Sequence, residues 1–195
     1  MPQLKPNNEE LYSYADYLDW DDGERWELIY GVPYSMSPAP NRRHQDISGE
    51  LFRQVATYLL EKPCKVYIAP FDVRFVDTKD TVADDYIDTA VQPDILVVCD
   101  LEKLDDRGCK GSPDLIVEIL SPSTTRMDMT VKFDLYQRFG VREYWIVHPN
   151  DQTVLVFKLL DTGLYGVPDR YCAEDTIPVT LLGDLQIDLT QVFRQ

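Results

Sequence analysis

The spacing of hydrophobic positions predicts three helices. After Asn41, apolar side chains recur every four residues, the spacing of one helix face: Ile47, Leu51, Val55 and Leu59. Near the N-terminus, the sequence predicts a short amphipathic helix over Asn7–Trp20, which begins with asparagines suited to capping. A third helix is expected at about Arg126–Phe139, where apolar residues again share one face.

Alternating and continuous apolar runs predict the strands. Arg25–Ser37 alternates around a glycine as a β-hairpin does, and Lys65–Val76 alternates as one half-buried strand does. The other predicted strands are Val91–Cys99, Pro113–Leu120, Glu143–Val147, Thr153–Leu160 and at least one in Tyr171–Phe193. This order predicts an α/β fold, a mixed β-sheet flanked by helices, with a right-handed crossover over residues 113–147 if the strands there are parallel.

The length and composition favour one domain. The chain has 195 residues, of which 44% are hydrophobic, so it can bury a sizeable core. It contains no repeat, low-complexity tract or linker-like stretch. We therefore expect a single domain over residues 1–195.

The charge balance limits the surfaces that can meet nucleic acid. The formal net charge is −15, and such a surface repels phosphate on average. Residues 40–65 carry five basic residues against three acidic ones, and residues 110–145 carry five of each. A phosphate-binding face must therefore be local and draw on these two stretches.

The cysteines and the N-terminus suggest a reduced, cytoplasmic protein. The four cysteines include no C-x-x-C pair, so neither a zinc site nor a disulfide scaffold is expected. No apolar run approaches the roughly 20 residues of a membrane-spanning helix. The first residues, MPQLKPNNEE, lack the basic start and apolar stretch of a signal peptide. We therefore expect no membrane partner.

Two carboxylates lie where a purely structural acid is costly. Asp94 opens the apolar run of residues 95–98, and Glu118 lies inside the apolar run of residues 115–120. A buried acid in a strand needs a cation, a metal or hydrogen-bond donors. If the two strands are neighbours, both acids can converge on one point, where carboxylate oxygens suit a hard divalent cation such as Mg²⁺. The alternative for Asp94 is a residue that caps backbone groups at the strand entry.

The third predicted helix adds a polar stripe. Asp128, Lys132 and Tyr136 recur at i, i+4 and i+8. Lys132 is long enough to neutralise a carboxylate or a phosphate near the strand end, and a metal beside a lysine suits phosphodiester cleavage. The alternative is a surface ion pair between Lys132 and Asp128.

These motifs, in order, resemble the Uma-two family of restriction-endonuclease-like proteins in the PD-(D/E)XK nuclease superfamily. The resemblance covers roughly residues 25–160 and rests on the following segments: Trp26-Glu-Leu-Ile-Tyr-Gly31, Met36-Ser-Pro38, Gln92-Pro93-Asp94, Gly111–Ser123 with Glu118 inside it, and Gly140–Val147. It implies a restriction-endonuclease-like core with Asp94 and Glu118 as metal-binding acids. An acid-x-Lys motif would place lysine at position 120, where this chain has leucine, so the resemblance assigns the lysine role to Lys132.

The resemblance also nominates three supporting residues. His44, Ser121 and Asp128 occupy family-like positions and are candidates for holding the metal-binding acids or positioning substrate. The alternative for His44 is an exposed residue in the first turn of a helix.

The predicted function is a metal-dependent endonuclease. Mg²⁺ or Mn²⁺ is the expected cofactor, and DNA is favoured over RNA as the substrate. The alternative is a catalytically inactive module that binds nucleic acid or protein, which the acidic surface and the absence of lysine at position 120 favour. A homodimer is left open, since a partner subunit could supply the basic surface that one chain lacks.

Overall fold

Short strands and few helices make up the fold. The computed structural model describes residues 10–36, 39–76, 82–122 and 124–194. The strands are β1 (Trp26–Ile29), β2 (Val32–Ser35), β3 (Lys65–Ile68), β4 (Val73–Arg74), β5 (Ala90–Val91), β6 (Ile95–Val98), β7 (Leu104–Asp105), β8 (Gly108–Lys110), β9 (Leu115–Ile119), β10 (Glu143–His148), β11 (Thr153–Lys158), β12 (Asp169–Cys172), β13 (Thr176–Val179) and β14 (Leu185–Asp188). The α-helices are α1 (Tyr14–Leu18), α2 (Arg42–Tyr58), α3 (Lys132–Arg138) and α4 (Leu189–Val192).

The described strands form two six-stranded sheets and a separate hairpin. The first sheet has the order β2-β1-β5-β4-β8-β7, the second has the order β12-β11-β10-β9-β6-β3, and β13 pairs with β14. Both large sheets are mixed, because β4 and β8 are parallel, as are β9 and β10, while the other pairs are antiparallel. The α/β class with mixed sheets is therefore confirmed, with the strands divided between two sheets.

The second sheet lies between two hydrophobic layers. One face packs against α2, α4 and the β13–β14 hairpin through side chains such as Val97, Val117 and Trp145. The other face packs against α3 and the first sheet through side chains such as Leu96 and Ile116. Full burial of each large aliphatic side chain contributes about 1.5–3 kcal/mol, so the central strands β6 and β9 are held firmly from both sides.

Most predicted elements are confirmed, and three differ. The α2 helix begins after Asn41, whose side chain accepts a hydrogen bond from the backbone of His44, and the predicted hairpin turns at Gly31. The first helix is only five residues long and is capped by Ser13 rather than by the asparagines, which lie outside the described residues. The predicted strand over residues 65–76 is two strands in different sheets, because Pro70 has no N–H for a continuous ladder. The run predicted as one strand over Val91–Cys99 contains the end of β5 in the first sheet and all of β6 in the second, because Pro93 between them has no N–H for a continuous ladder.

The expectation of fully reduced cysteines is wrong for one pair. Cys64 and Cys99 form a disulfide, although they are 35 positions apart in the sequence. The β3–β6 register pairs Lys65 with Val98, so the two cysteines lie directly opposite each other at the ends of these strands. Cys109 and Cys172 are free thiols.

None of the described helices is long and apolar enough to cross a membrane.

Candidate active site

The two predicted acids lie on neighbouring strands. Strands β6 and β9 are antiparallel and pair Ile95 with Val117, so the next position in that register sets Asp94 opposite Glu118. Alternation puts both on the sheet face that meets α3 and the first sheet. Opposed positions in an antiparallel pair have Cβ atoms about 4.5–5.5 Å apart. The two strands are therefore neighbours, which is the condition under which the sequence predicted that both acids converge on one point.

Asp94 is fixed by two donors. Its Oδ2 atom accepts a hydrogen bond of 2.7 Å from the Ile119 backbone N–H, and it lies 3.2 Å from His44 Nε2. Asp94 therefore does bind a backbone group, as the alternative interpretation held, but that group belongs to β9 and not to its own strand entry. The contact orients the carboxylate next to Glu118.

Glu118 is almost fully buried and bonded to α3. Its side chain is 5% exposed, and its Oε1 atom lies 3.0 Å from Lys132 Nζ. The Tyr136 hydroxyl donates a second hydrogen bond of 2.7 Å to the same oxygen. Among the described residues both of these bonds go to Oε1. Lys132 thus reaches the carboxylate at the strand, as its length predicted.

A further buried acid, Glu27 on β1, was not among the predicted site residues. Its Oε1 atom lies 2.8 Å from Lys132 Nζ, closer than that of Glu118, and accepts a hydrogen bond from the Gln92 backbone N–H. The first sheet therefore contributes Glu27 to the site. The sequence signal that could have identified Glu27 is an acid inside a strand of the predicted hairpin. Tyr136, which also contacts Glu118, belonged to the predicted polar stripe but was not assigned to the site.

Asp128 completes the set of acids around the lysine. It lies on a π-helical turn, Met127–Val131, that leads into α3, and its Oδ1 atom is 3.8 Å from Lys132 Nζ. The side chains of Asp128 and Lys132 are only 4% and 6% exposed. The alternative of a surface ion pair is therefore wrong, because Lys132 is buried and its nearest partners are Glu27 and Glu118.

Three acids (Glu27, Glu118 and Asp128) surround Lys132, Asp94 lines the same cavity, and the local charge is unbalanced. Burial raises the pKa of Glu118 well above its usual range, Lys132 opposes this shift, and the neighbouring acids add to it. Burial likewise raises the pKa of Asp128 to about 6 despite the opposing charge of Lys132. Burial lowers the pKa of Lys132, but the surrounding carboxylates outweigh it and the net pKa is raised. The site therefore attracts further positive charge.

The donor set fits a hard cation that brings its own water. Among the described residues, no group of three or more His, Cys, Asp or Glu side chains is arranged to hold a metal ion. Mg²⁺ commonly binds through one or two carboxylates and completes its shell with water and substrate phosphate oxygens. Asp94 and Glu118, on opposed strand positions beside excess negative charge, match that smaller set.

His44 is buried at the first turn of α2, so the alternative of an exposed residue is wrong. Its Nε2 atom faces Asp94, while its Nδ1 atom is buried and has no hydrogen-bond partner among the described residues. Burial lowers the pKa of His44, but the hydrogen bond and charge of Asp94 outweigh it and the net pKa is raised.

All six predicted site residues line one cavity of about 550 Å³. They are Asp94, Glu118, Lys132, His44, Ser121 and Asp128. Ser121 follows β9, and its hydroxyl lies 3.1 Å from that of Thr124 in the turn before the π-helical segment. Glu27 lines the same cavity. The fold thus gathers residues from both sheets and two helices around one space.

Comparisons with known proteins identify the family. The model of the Uma2 family, described as "Putative restriction endonuclease", matches residues 14–190. The chain therefore belongs to the Uma2 family, the one its motifs resemble. It is 25% identical over 185 residues to the "Uncharacterized protein slr1290" of Synechocystis sp. (strain ATCC 27184 / PCC 6803 / Kazusa), covering 93% of this chain and 87% of that protein.

A solved structure shares the fold. It is the crystal structure of "a putative nuclease belonging to DUF820" from Anabaena variabilis ATCC 29413. The TM-score is 0.71 at 18% sequence identity, and the match covers 93% of this chain and 97% of that chain. Family and fold together make this a restriction-endonuclease-like protein.

Proposed function

We propose that the protein is a metal-dependent endonuclease that hydrolyses phosphodiester bonds in DNA, with RNA as the second choice of substrate. The observation that carries this proposal is the arrangement of Asp94, Glu118 and Lys132. Two acids occupy opposed positions on neighbouring strands, and the lysine ammonium lies 3.0 Å from one of them inside a cavity. The Uma2 family membership supports it independently.

Asp94 and Glu118 are the residues that would hold Mg²⁺ or Mn²⁺. When bound, such an ion polarises a phosphoryl oxygen and lowers the pKa of a bound water to make a nucleophile. The Ile119 N–H and His44 hold Asp94 in place, and the Tyr136 hydroxyl holds Glu118. These contacts fix the two carboxylates before substrate arrives, which is the preorganisation that catalysis needs.

Lys132 would stabilise the charge that develops on the phosphate. Its ammonium group has three N–H donors. Glu27 and Glu118 lie within hydrogen-bonding distance of two of them, which leaves one donor for a substrate oxygen. Because Glu27 holds the ammonium independently of Glu118, the lysine stays in position if Glu118 turns toward a cation. Asp128 supplies further negative charge, and Ser121 at the cavity wall would position substrate.

The competing function is a binding module without catalysis. Leucine at position 120 and the net charge of −15 favour it. The burial of several acids in one cavity argues against a module without catalysis. Uncompensated buried charge lowers the stability of the fold, so such a cluster is expected where a function requires it.

The test is cleavage of labelled DNA by the wild type, Glu118→Gln and Asp94→Asn in the presence of Mg²⁺ or Mn²⁺. We expect metal-dependent cleavage by the wild type and background rates for both variants. Glu102→Gln is the matched control, because Glu102 is exposed and the substitution removes the same charge. Calorimetric titration of Mn²⁺ should give binding that Glu118→Gln loses. Wild-type rates in Glu118→Gln would exclude the proposal, and metal binding without any cleavage would favour the binding module.

A further inference from the structure

We infer that the cavity takes a single DNA strand and not an intact duplex. This inference rests on the proposed function and adds the form of the substrate. Three properties of the cavity carry it: its size, the charge of its lining and the chemistry of its apolar wall.

The size of the cavity suits a nucleotide-sized group. Its volume of about 550 Å³ falls within the range of roughly 300–1,000 Å³ that is typical of small-molecule sites. Glu118, Lys132 and Asp128 are all at most 6% exposed in their side chains, so the reacting phosphate must enter the cavity to meet them. In a duplex that phosphate is fixed beside paired, stacked bases, whereas an unpaired strand can bend into the cavity.

The lining of the cavity is poor in positive charge. Among the described residues that line it, Arg25 and Lys132 are the permanent cations, against four acids: Glu27, Asp94, Glu118 and Asp128. Lys132 is engaged by carboxylates, and Arg25 donates a hydrogen bond of 2.6 Å to the Gln92 side chain. Ser37, Pro38 and Ser123, which lie outside the described ranges and adjoin lining residues in the sequence, carry no charge. A protein that grips a duplex needs many Lys and Arg contacts to phosphates.

The arginines that flank the cavity in sequence do not belong to its lining. On α2 the lining residues are one helix face, with Asn41 at the cap followed by His44, Gln45 and Ser48. At about 100° per residue, Arg42 and Arg43 fall on other faces of that helix. Arg42 instead forms an i,i+4 ion pair with Asp46 at 3.1 Å. The locally basic stretch therefore does not make the cavity basic.

The wall of the cavity offers apolar surfaces for an unpaired base. Tyr34, Met36 and Met127 line it, together with Pro70 and Pro122. Aromatic and sulfur-containing side chains pack well against flat rings, and a stacked base stabilises binding without requiring many cationic contacts. Duplex bases are stacked on one another and cannot use such a wall.

The test compares one sequence in two forms, with Mn²⁺ and the full chain. A labelled single-stranded oligonucleotide and its fully paired duplex are incubated in parallel, and methyl 4-nitrophenyl phosphate serves as a small diester without a base. We expect cleavage of the single strand to be at least tenfold faster than that of the duplex. Equal or faster cleavage of the duplex would overturn the inference and leave the proposed endonuclease standing.

The remaining outcomes separate the two proposals. Hydrolysis of the small diester with no cleavage of either DNA overturns the inference. The protein would then be a phosphodiesterase that acts on a substrate other than DNA. No reaction with any of the three compounds overturns the proposed function itself.

Salt dependence gives a second, independent measurement. On a single strand, log(kcat/KM) should fall with log[NaCl] with a slope shallower than about −2, because each neutralised phosphate contributes about −0.7. Arg25→Gln should make that slope shallower by about 0.7, since Arg25 is the exposed cation of the lining. Arg126→Gln is the matched control, because Arg126 is exposed but does not line the cavity. A slope of −5 or steeper would indicate a long phosphate-tracking surface and contradict the inference.

Discussion

Two clusters of buried charge in this protein are built differently. At the far side of the first sheet, Arg74 is buried and lies 2.5 Å from Asp105 and 3.9 Å from Asp84, and Arg107 also binds Asp84. Two cations thus face two acids, and the Asp105 side chain is 48% exposed. In the cavity, by contrast, Lys132 faces three almost fully buried acids, Glu27, Glu118 and Asp128.

The difference appears in the proton affinities of the acids. Burial raises the pKa of Asp105, but the hydrogen bonds from Arg74 and from the Arg107 backbone, with the charges of Arg74 and Lys110, together outweigh it, and the net pKa is lowered. For Asp128 and Glu118 burial prevails over Lys132 and the pKa is raised. A balanced cluster with access to water stabilises the fold, whereas an unbalanced, buried one is the arrangement expected of a functional site.

The largest effect is expected for Lys132→Met. The substitution leaves the acids around it without their cation, so the free energy of unfolding should fall by about 3–5 kcal/mol and DNA cleavage should be lost. Urea denaturation monitored by tryptophan fluorescence measures the first effect. Adding Glu118→Gln should restore part of the stability, because one uncompensated charge is then removed. An effect of Glu118→Gln on stability that is the same in the wild type and in Lys132→Met would show that the two residues are not coupled.

A smaller effect is expected for Arg74→Met. Its partners can be hydrated, because Asp105 is half exposed, so the loss should be about 1.5–3 kcal/mol, the range for a hydrogen bond to a charged group. Cleavage per folded molecule should stay at the wild-type level, since Arg74 does not line the cavity. A drop in activity that is not explained by unfolding would mean that the two clusters are coupled.

The remaining predictions concern the pH dependence of stability, and the two clusters should differ in its sign. The folded state raises the pKa of Asp128 from 3.8 to about 6, so the stability gained from its protonation is complete below about pH 4 and is lost by about pH 6. Relative to Asp128→Asn, the wild type should therefore lose about 2–3 kcal/mol over that range, at about 1.4 kcal/mol per pKa unit. Urea denaturation in EDTA between pH 3.5 and 7.5 measures this difference.

Asp105→Asn is the matched comparison. Because the pKa of Asp105 is lowered, its contribution is present above its ordinary value of 3.8 and is lost as the pH falls through the folded-state value. The advantage of the wild type should be below about 1 kcal/mol at pH 7, since the side chain is half exposed. The same pH trend in both variants would contradict the contrast between the clusters.

The sequence predicted the site residues better than their partners. Asp94 and Glu118 could be identified because an acid in an apolar strand is costly, and Lys132 because it lies on a polar helix stripe. The sequence missed Glu27, which reaches Lys132 from a different sheet, and His44, which the family resemblance proposed, contacts Asp94 from a different helix. Their contacts depend on which elements are neighbours, and periodicity along one element carries no information about that.

The sequence alone determined the local elements and the face on which each acid lies, since backbone periodicity is a local property. Only the tertiary structure decided that β6 and β9 are antiparallel neighbours, that residues 65–76 divide between two sheets and that Cys64 meets Cys99. It also decided that Lys132 is buried between Glu27 and Glu118. Each of these depends on strand order and register, which arise from packing between segments distant in sequence.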